Sequence, residues 1–141
     1  MLAALVATWI AHPGLAHDGD TFPARIELWQ TLAGASDPNK MMTLPTNVRV
    51  MGIDTPELDR PRCEAEKALA IKARDFTTAW LASSGVVYLQ HPKPDAYAGR
   101  TDAIVLDPNG AFLADALIAS GLAWPMSGAT RTHDWCAGVT P

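Results

Sequence analysis

The chain has 141 residues and a net charge of −4, with 48% hydrophobic and 18% charged residues. That is enough for one domain with a single core, and too apolar for a disordered chain. It excludes a protein that grips nucleic acid through a broad basic face, so phosphate binding would fall to a few focused Arg or Lys residues, with or without a cation.

Met1 to Ala16 carry no acid or base apart from His12. Leu2 to Ala11 is an apolar run too short to span a bilayer. Gly14 and Ala16 place small residues where a signal peptidase needs them, so residues 1–16 read as a leader and 17–141 as a single domain. The missing positive n-region argues the other way. The competing reading makes Thr8 to His17 the first strand of the domain.

His17-Asp18-Gly19-Asp20-Thr21 is a turn, because Asp-Gly favours a tight reversal. Thr21 to Gln30 reads as a strand, with Ile26 and Leu28 alternating against Arg25 and Glu27. Thr31 to Asn47, with Gly34, Asp37-Pro38-Asn39 and Pro45, reads as a long loop carrying Lys40. Val48 to Ile53 is β-branched and apolar enough for a strand, which Pro56 ends. Glu64 to Ser83 is the clearest helix: Leu69, Lys72, Ala73, Phe76 and Trp80 share one face, with Glu64 and Glu66 in the first turn. Val86 to Gln90 is a strand, His91 to Gly99 a Pro/Gly-rich loop, and Arg100 to Leu106 a further strand. Phe112 to Ser120 is a short helix closed by Gly121. Strands, a long helix, two strands and a short helix fit an α+β, mainly β fold, a small closed barrel of the OB type.

Two cysteines, Cys63 and Cys136, stand far apart, with no CxxC or Cys/His cluster to hold zinc. In an exported domain they read as a disulfide tying the C-terminal tail to the start of the long helix. In a reducing compartment they are two unrelated thiols.

Asp20, Asp54 and Glu57 lie at strand ends. If the barrel brings the turns together, they form an oxygen-rich pocket suited to Ca²⁺ or Mg²⁺. Arg49 and Arg100 flank it, and Arg offers phosphate a rigid fork that Lys does not. A cation, two guanidinium forks and a carboxylate base make an arrangement able to cleave phosphodiesters. The same carboxylates read equally simply as solvated surface charges.

Asp18-Gly19-Asp20-Thr21, Arg49-Val50-Met51-Gly52-Ile53-Asp54-Thr55-Pro56-Glu57, Asp95…Tyr97-Ala98-Gly99-Arg100 and Leu117-Ile118-Ala119-Ser120-Gly121-Leu122-Ala123 occur in that order. Together they resemble the staphylococcal nuclease family from about His17 to Trp124. The resemblance implies a five-stranded OB-fold barrel capped by one long and one short α-helix. It implies a Ca²⁺-dependent phosphodiesterase that cuts the P–O5′ bond of DNA and RNA with little sequence preference and leaves 3′-phosphate ends. By the same resemblance Asp20, Asp54 and the Thr55 carbonyl ligate Ca²⁺, and Glu57 acts as general base. Arg49 and Arg100 bind the scissile phosphate, and Tyr97 touches substrate. Cys63 and Trp135-Cys136 resemble the disulfide-bearing secreted members. A secreted or periplasmic monomer with no stable membrane association is expected. The chain departs from the family by one extra residue before Gly99, which displaces Tyr97, and by lacking the base-packing tyrosine after Gly121-Leu122-Ala123. The alternative is a non-catalytic OB module that binds nucleic acid or a protein partner.

Overall fold

The structure is a computed structural model that describes residues 8–28, 42–95, 99–126 and 133–137. Its elements in chain order are β1 (Thr8–Pro13), β2 (Thr21–Leu28), β3 (Met42–Val50), β4 (Ile53–Asp54), α1 (Glu64–Ser84), β5 (Val87–Pro94), β6 (Arg100–Leu106), α2 (Leu113–Ala119) and β7 (Trp124–Pro125). Lys40 and Tyr97 lie outside the described residues.

Five strands close into a barrel in the order β1-β2-β3-β6-β5, while β4 and β7 form a separate two-stranded ribbon. Only the β3–β6 neighbours run parallel; the other four barrel pairings are antiparallel. With α1 inserted between the third and fourth barrel strands, this is the OB-type topology expected from the sequence. Alternation decides what fills the barrel. Phe22, Ala24 and Ile26 of β2 point inward, as do Val48 and Val50 of β3, Val87 and Leu89 of β5, and Ala103 and Val105 of β6. Among the described residues, closure gives each barrel strand a neighbour on both sides.

Several boundaries moved. Thr8–Pro13 of the N-terminal stretch is strand: Ala11 of β1 is fully buried and pairs with Ile26 on one side and Val87 on the other. The expected loop from Thr31 to Asn47 is strand from Met42 onward, with Pro45 opposite Arg25 on the barrel's outer face. A proline within a run argues against strand on local grounds, and here tertiary pairing overrides it. The expected strand Val48–Ile53 is cut at Gly52, whose φ of 83° turns the chain so that Ile53–Asp54 pair with β7 instead. β5 continues to Pro94 across a register shift between Gln90 and Lys93, where His91 takes a φ of 51°.

The long helix stands where its pattern put it, but its face is rotated. Glu66, Ala70, Ala73, Thr77 and Leu81 are the buried stripe, while Leu69, Phe76 and Trp80 pack partly buried beside it. Lys72 is exposed. Small residues at the centre of the stripe let α1 sit close on the barrel, which bulkier side chains would prevent.

Candidate active site

Asp20 lies in the turn between β1 and β2. The Asp20 N–H donates to Asp18 Oδ1 at 3.2 Å, and His17 N–H donates to the Thr21 carbonyl at 2.9 Å, closing the turn. Gly19 is pressed between two elements. A Cβ there would lie 2.8 Å from Ala73 Cβ and 3.1 Å from Thr55 Cβ. Thr77 Oγ1 donates to the Gly19 carbonyl at 2.7 Å. The turn is therefore clamped between α1 and the Asp54–Thr55 segment, which brings Asp20, Asp54 and Thr55 to one place. All three are buried, at 2%, 1% and 1% exposure.

β2 and β3 set the next contact. Thr21 pairs with Arg49, the Val50 N–H donates to the Asp20 carbonyl at 2.8 Å, and Arg49 Nη2 meets Asp20 Oδ2 at 3.4 Å. On the parallel neighbour, Asn47 pairs with Arg100 and Arg49 with Asp102. Side chains two residues apart on a strand share a face, so Arg49, Arg100 and Asp102 lie together on the outer surface. Arg100 Nη2 is held by Asp95 Oδ2 at 2.8 Å. Both guanidinium groups are thus held by carboxylates.

Charge crowding at this surface is visible in the carboxylates. Burial, and then the charge of Asp20, push Asp18 up to about 7. Burial and a hydrogen bond with Asp95 raise Asp102, against the pull of Arg100 and Arg49. The His17–Asp59 hydrogen bond, 3.0 Å long, is the main cause that raises His17.

Glu57 is held by a different contact. Its N–H donates to Glu66 Oε2 at 3.3 Å, and Glu66 Oε1 accepts the Arg62 N–H at 2.7 Å. Glu66 is fully buried at the start of α1. Burial alone would raise its carboxyl, but the Arg62 and Glu57 backbone N–H groups and the Arg62 guanidinium outweigh it and lower the pKa. One buried carboxylate thus pins both ends of the segment that carries Glu57. The sequence puts Glu66 in the first turn of the helix and gives it no such role; its inward facing appears only in the structure.

Trp124–Pro125 and Trp135 meet the segment that carries Asp54. Asp54 pairs across the ribbon with Trp124, and Trp135 Nε1 donates to Asp54 Oδ2 at 3.3 Å. A disulfide joins Cys63 to Cys136. The disulfide stood as one of two readings in the sequence; the indole–carboxylate contact had no sequence signal beyond the neighbouring cysteine.

A family model described as staphylococcal nuclease homologue matches residues 47–135. The chain belongs to the staphylococcal nuclease homologue family. The match spans Arg49, Asp54, Glu57, Cys63, Arg100 and Trp135. Asp20 lies before it, and the structure supplies that connection by pairing β2 with β3. No curated protein matches the chain.

For a nuclease-family cation, the donor set is the relevant test. Among the described residues no group of three or more His, Cys, Asp or Glu side chains gathers as a metal site. What the turn packing assembles instead is two buried carboxylates beside a buried backbone segment. Asp20, Asp54 and the Thr55 carbonyl are hard oxygen donors of the kind Ca²⁺ or Mg²⁺ takes.

Proposed function

We propose that the chain is a Ca²⁺-dependent phosphodiesterase that hydrolyses DNA and RNA at the P–O5′ bond with little sequence preference and leaves 3′-phosphate ends. The observation that carries the reading is the clamped turn: Gly19 against Thr55, with Asp20 bonded to Arg49, joins the candidate cation donors to a phosphate-binding cation.

Ca²⁺, held by Asp20, Asp54 and the Thr55 carbonyl, would offset the charge of the scissile phosphate. Arg49 and Arg100 turn from Asp20 and Asp95 to the non-bridging oxygens, where negative charge grows in the transition state. Glu57 takes a proton from the attacking water as the new P–O bond forms and the P–O5′ bond breaks, and the departing 5′-oxygen takes a proton from solvent to leave as the 5′-hydroxyl. Its backbone is fixed through Glu66, so the base is held in place before substrate binds. Tyr97 belongs to the substrate side of this reading.

We also infer an oxidising compartment, secreted or periplasmic, from the Cys63–Cys136 disulfide. Cleavage after Ala16 is not part of that inference, since it would remove β1 from the barrel. The reading takes the protein to work as a monomer, free of membranes.

Purified protein incubated with plasmid, single-stranded DNA and RNA should degrade all three with Ca²⁺ and none with EDTA. A folded sample with no Ca²⁺-dependent cleavage would leave the non-catalytic nucleic-acid-binding or protein-binding module in its place.

A further inference from the structure

We propose that Trp135 is a positioning residue for Asp54, and that the Cys63–Cys136 disulfide, by holding Trp135 there, sets how tightly the cation site binds. The inference rests on the cation reading above and adds its regulation.

Trp135 and Asp54 are both buried, at 8% and 1% exposure, and the indole N–H donates to Asp54 Oδ2 at 3.3 Å. A donor on one carboxylate oxygen fixes the plane of the group and with it the direction of the other oxygen. Outer partners of this kind commonly govern metal affinity by roughly 10–100-fold. A tryptophan needed only to fill space could do so without aiming its N–H at a cation donor.

The tail carrying Trp135 is fastened on three sides. His133 stacks on Trp124 with ring centroids 4.2 Å apart and meets Trp135 edge-on at 4.4 Å. Arg62 Nη2 donates to the His133 carbonyl at 3.0 Å. The disulfide is the one covalent tie, on the residue next to Trp135. Its other half, Cys63, is the N-cap of α1, where Sγ accepts the Glu66 N–H at 3.3 Å. Opening the bond therefore frees the indole from Asp54 and disturbs the helix start whose Glu66 pins Glu57.

The redox step is ordinary exchange. A dithiol reductant attacks the bond, the two protein sulfurs leave as thiols, and the reductant closes to its own disulfide, having supplied two electrons and two protons. The reduced chain is then a weak-binding form of the nuclease, and oxidation completes the site.

Calcium titration calorimetry on the oxidised protein, on the same protein reduced with dithiothreitol, on Trp135→Phe and on Cys63→Ser/Cys136→Ser tests this. Circular dichroism confirms that each sample is folded. The last three should each bind Ca²⁺ about tenfold more weakly than the first. Tb³⁺ bound in place of Ca²⁺ should show a shorter luminescence lifetime in them, because a carboxylate oxygen has given way to water. A packing role alone would not produce that signature. Trp135→Phe with unchanged affinity and lifetime overturns the positioning role. Reduced protein binding as tightly as oxidised overturns the disulfide's part, and stands as the test should Trp135→Phe not fold. Oxidised wild-type protein that binds no cation overturns the reading of the site as well; tight binding by every variant overturns this inference alone.

Discussion

At the scale of single residues, Gly19 shows how a side chain that is absent shapes the site. Any Cβ there meets Ala73 at 2.8 Å and Thr55 at 3.1 Å, and both neighbours sit on packed elements that yield little. Gly19→Ala should destabilise the fold by about 1–3 kcal/mol in urea unfolding and weaken Ca²⁺ binding by separating Asp20 from Asp54. The arginines make the opposite prediction. Arg49→Ala and Arg100→Ala should each lower kcat about a hundredfold or more while calorimetry still detects Ca²⁺, since neither is a cation donor. Asp102 carries a pH signature. Its carboxyl is raised in the folded chain, so it binds its proton more tightly folded than unfolded. That favours folding at acid pH, and the benefit is lost as pH rises through the raised folded pKa. Asp102→Asn should therefore raise Tm more at pH 8 than at pH 4. The same substitution leaves Asp95 free of a competing charge in its contact with Arg100.

At the scale of elements, α1 does more than cap the barrel. Its buried stripe fixes the Asp18–Asp20 turn through Ala73 and Thr77, and its first turn fixes the Glu57 segment through Glu66. Glu66 has a lowered pKa. Its contribution is fully present above the unfolded carboxyl pKa of about 4.3 and is lost as pH falls through the folded value. Glu66→Gln should reduce stability at neutral pH and flatten the acid limb of a stability-against-pH curve. A curve parallel to wild type would show that the carboxylate does not carry that dependence. The helix was legible in the sequence to within a residue because its capping and length are local. Its facing was not. Leu69, Phe76 and Trp80 are large apolar residues at helical spacing, so pattern alone centres the face on them. Close packing instead puts small Ala70, Ala73 and Thr77 at the centre, with Leu81 at the end of the stripe, and moves those three to the flank.

At the scale of the whole molecule, closure and the disulfide hold the site together. The Cys63–Cys136 bond spans 73 residues, a loop for which chain entropy gives roughly 4 kcal/mol. Reduction should lower Tm clearly, measured by thermal circular dichroism with and without dithiothreitol. β1 supplies two of the five barrel interfaces, so a chain starting at His17 should fail to give the cooperative transition of the longer one. That measurement also fixes which N-terminus is compatible with a working barrel.

The sequence by itself determined the family resemblance, the barrel class and the residues that carry the proposed chemistry, because those motifs are short, local and sit at turns. It placed Asp20, Arg49, Asp54, Glu57 and Arg100 but could not join them. The approach of Asp20, Arg49 and Asp54 depends on the β2–β3 register and on Gly19 lying against Thr55, and the parallel β3–β6 pairing sets Arg100 beside Asn47, all contacts between residues far apart in the chain. Only the tertiary structure decided that Pro45 lies within a strand and that Glu66 faces inward under Glu57. It alone set the Trp135 indole against Asp54. Each of these is settled by what packs on the other side, and no local pattern records that.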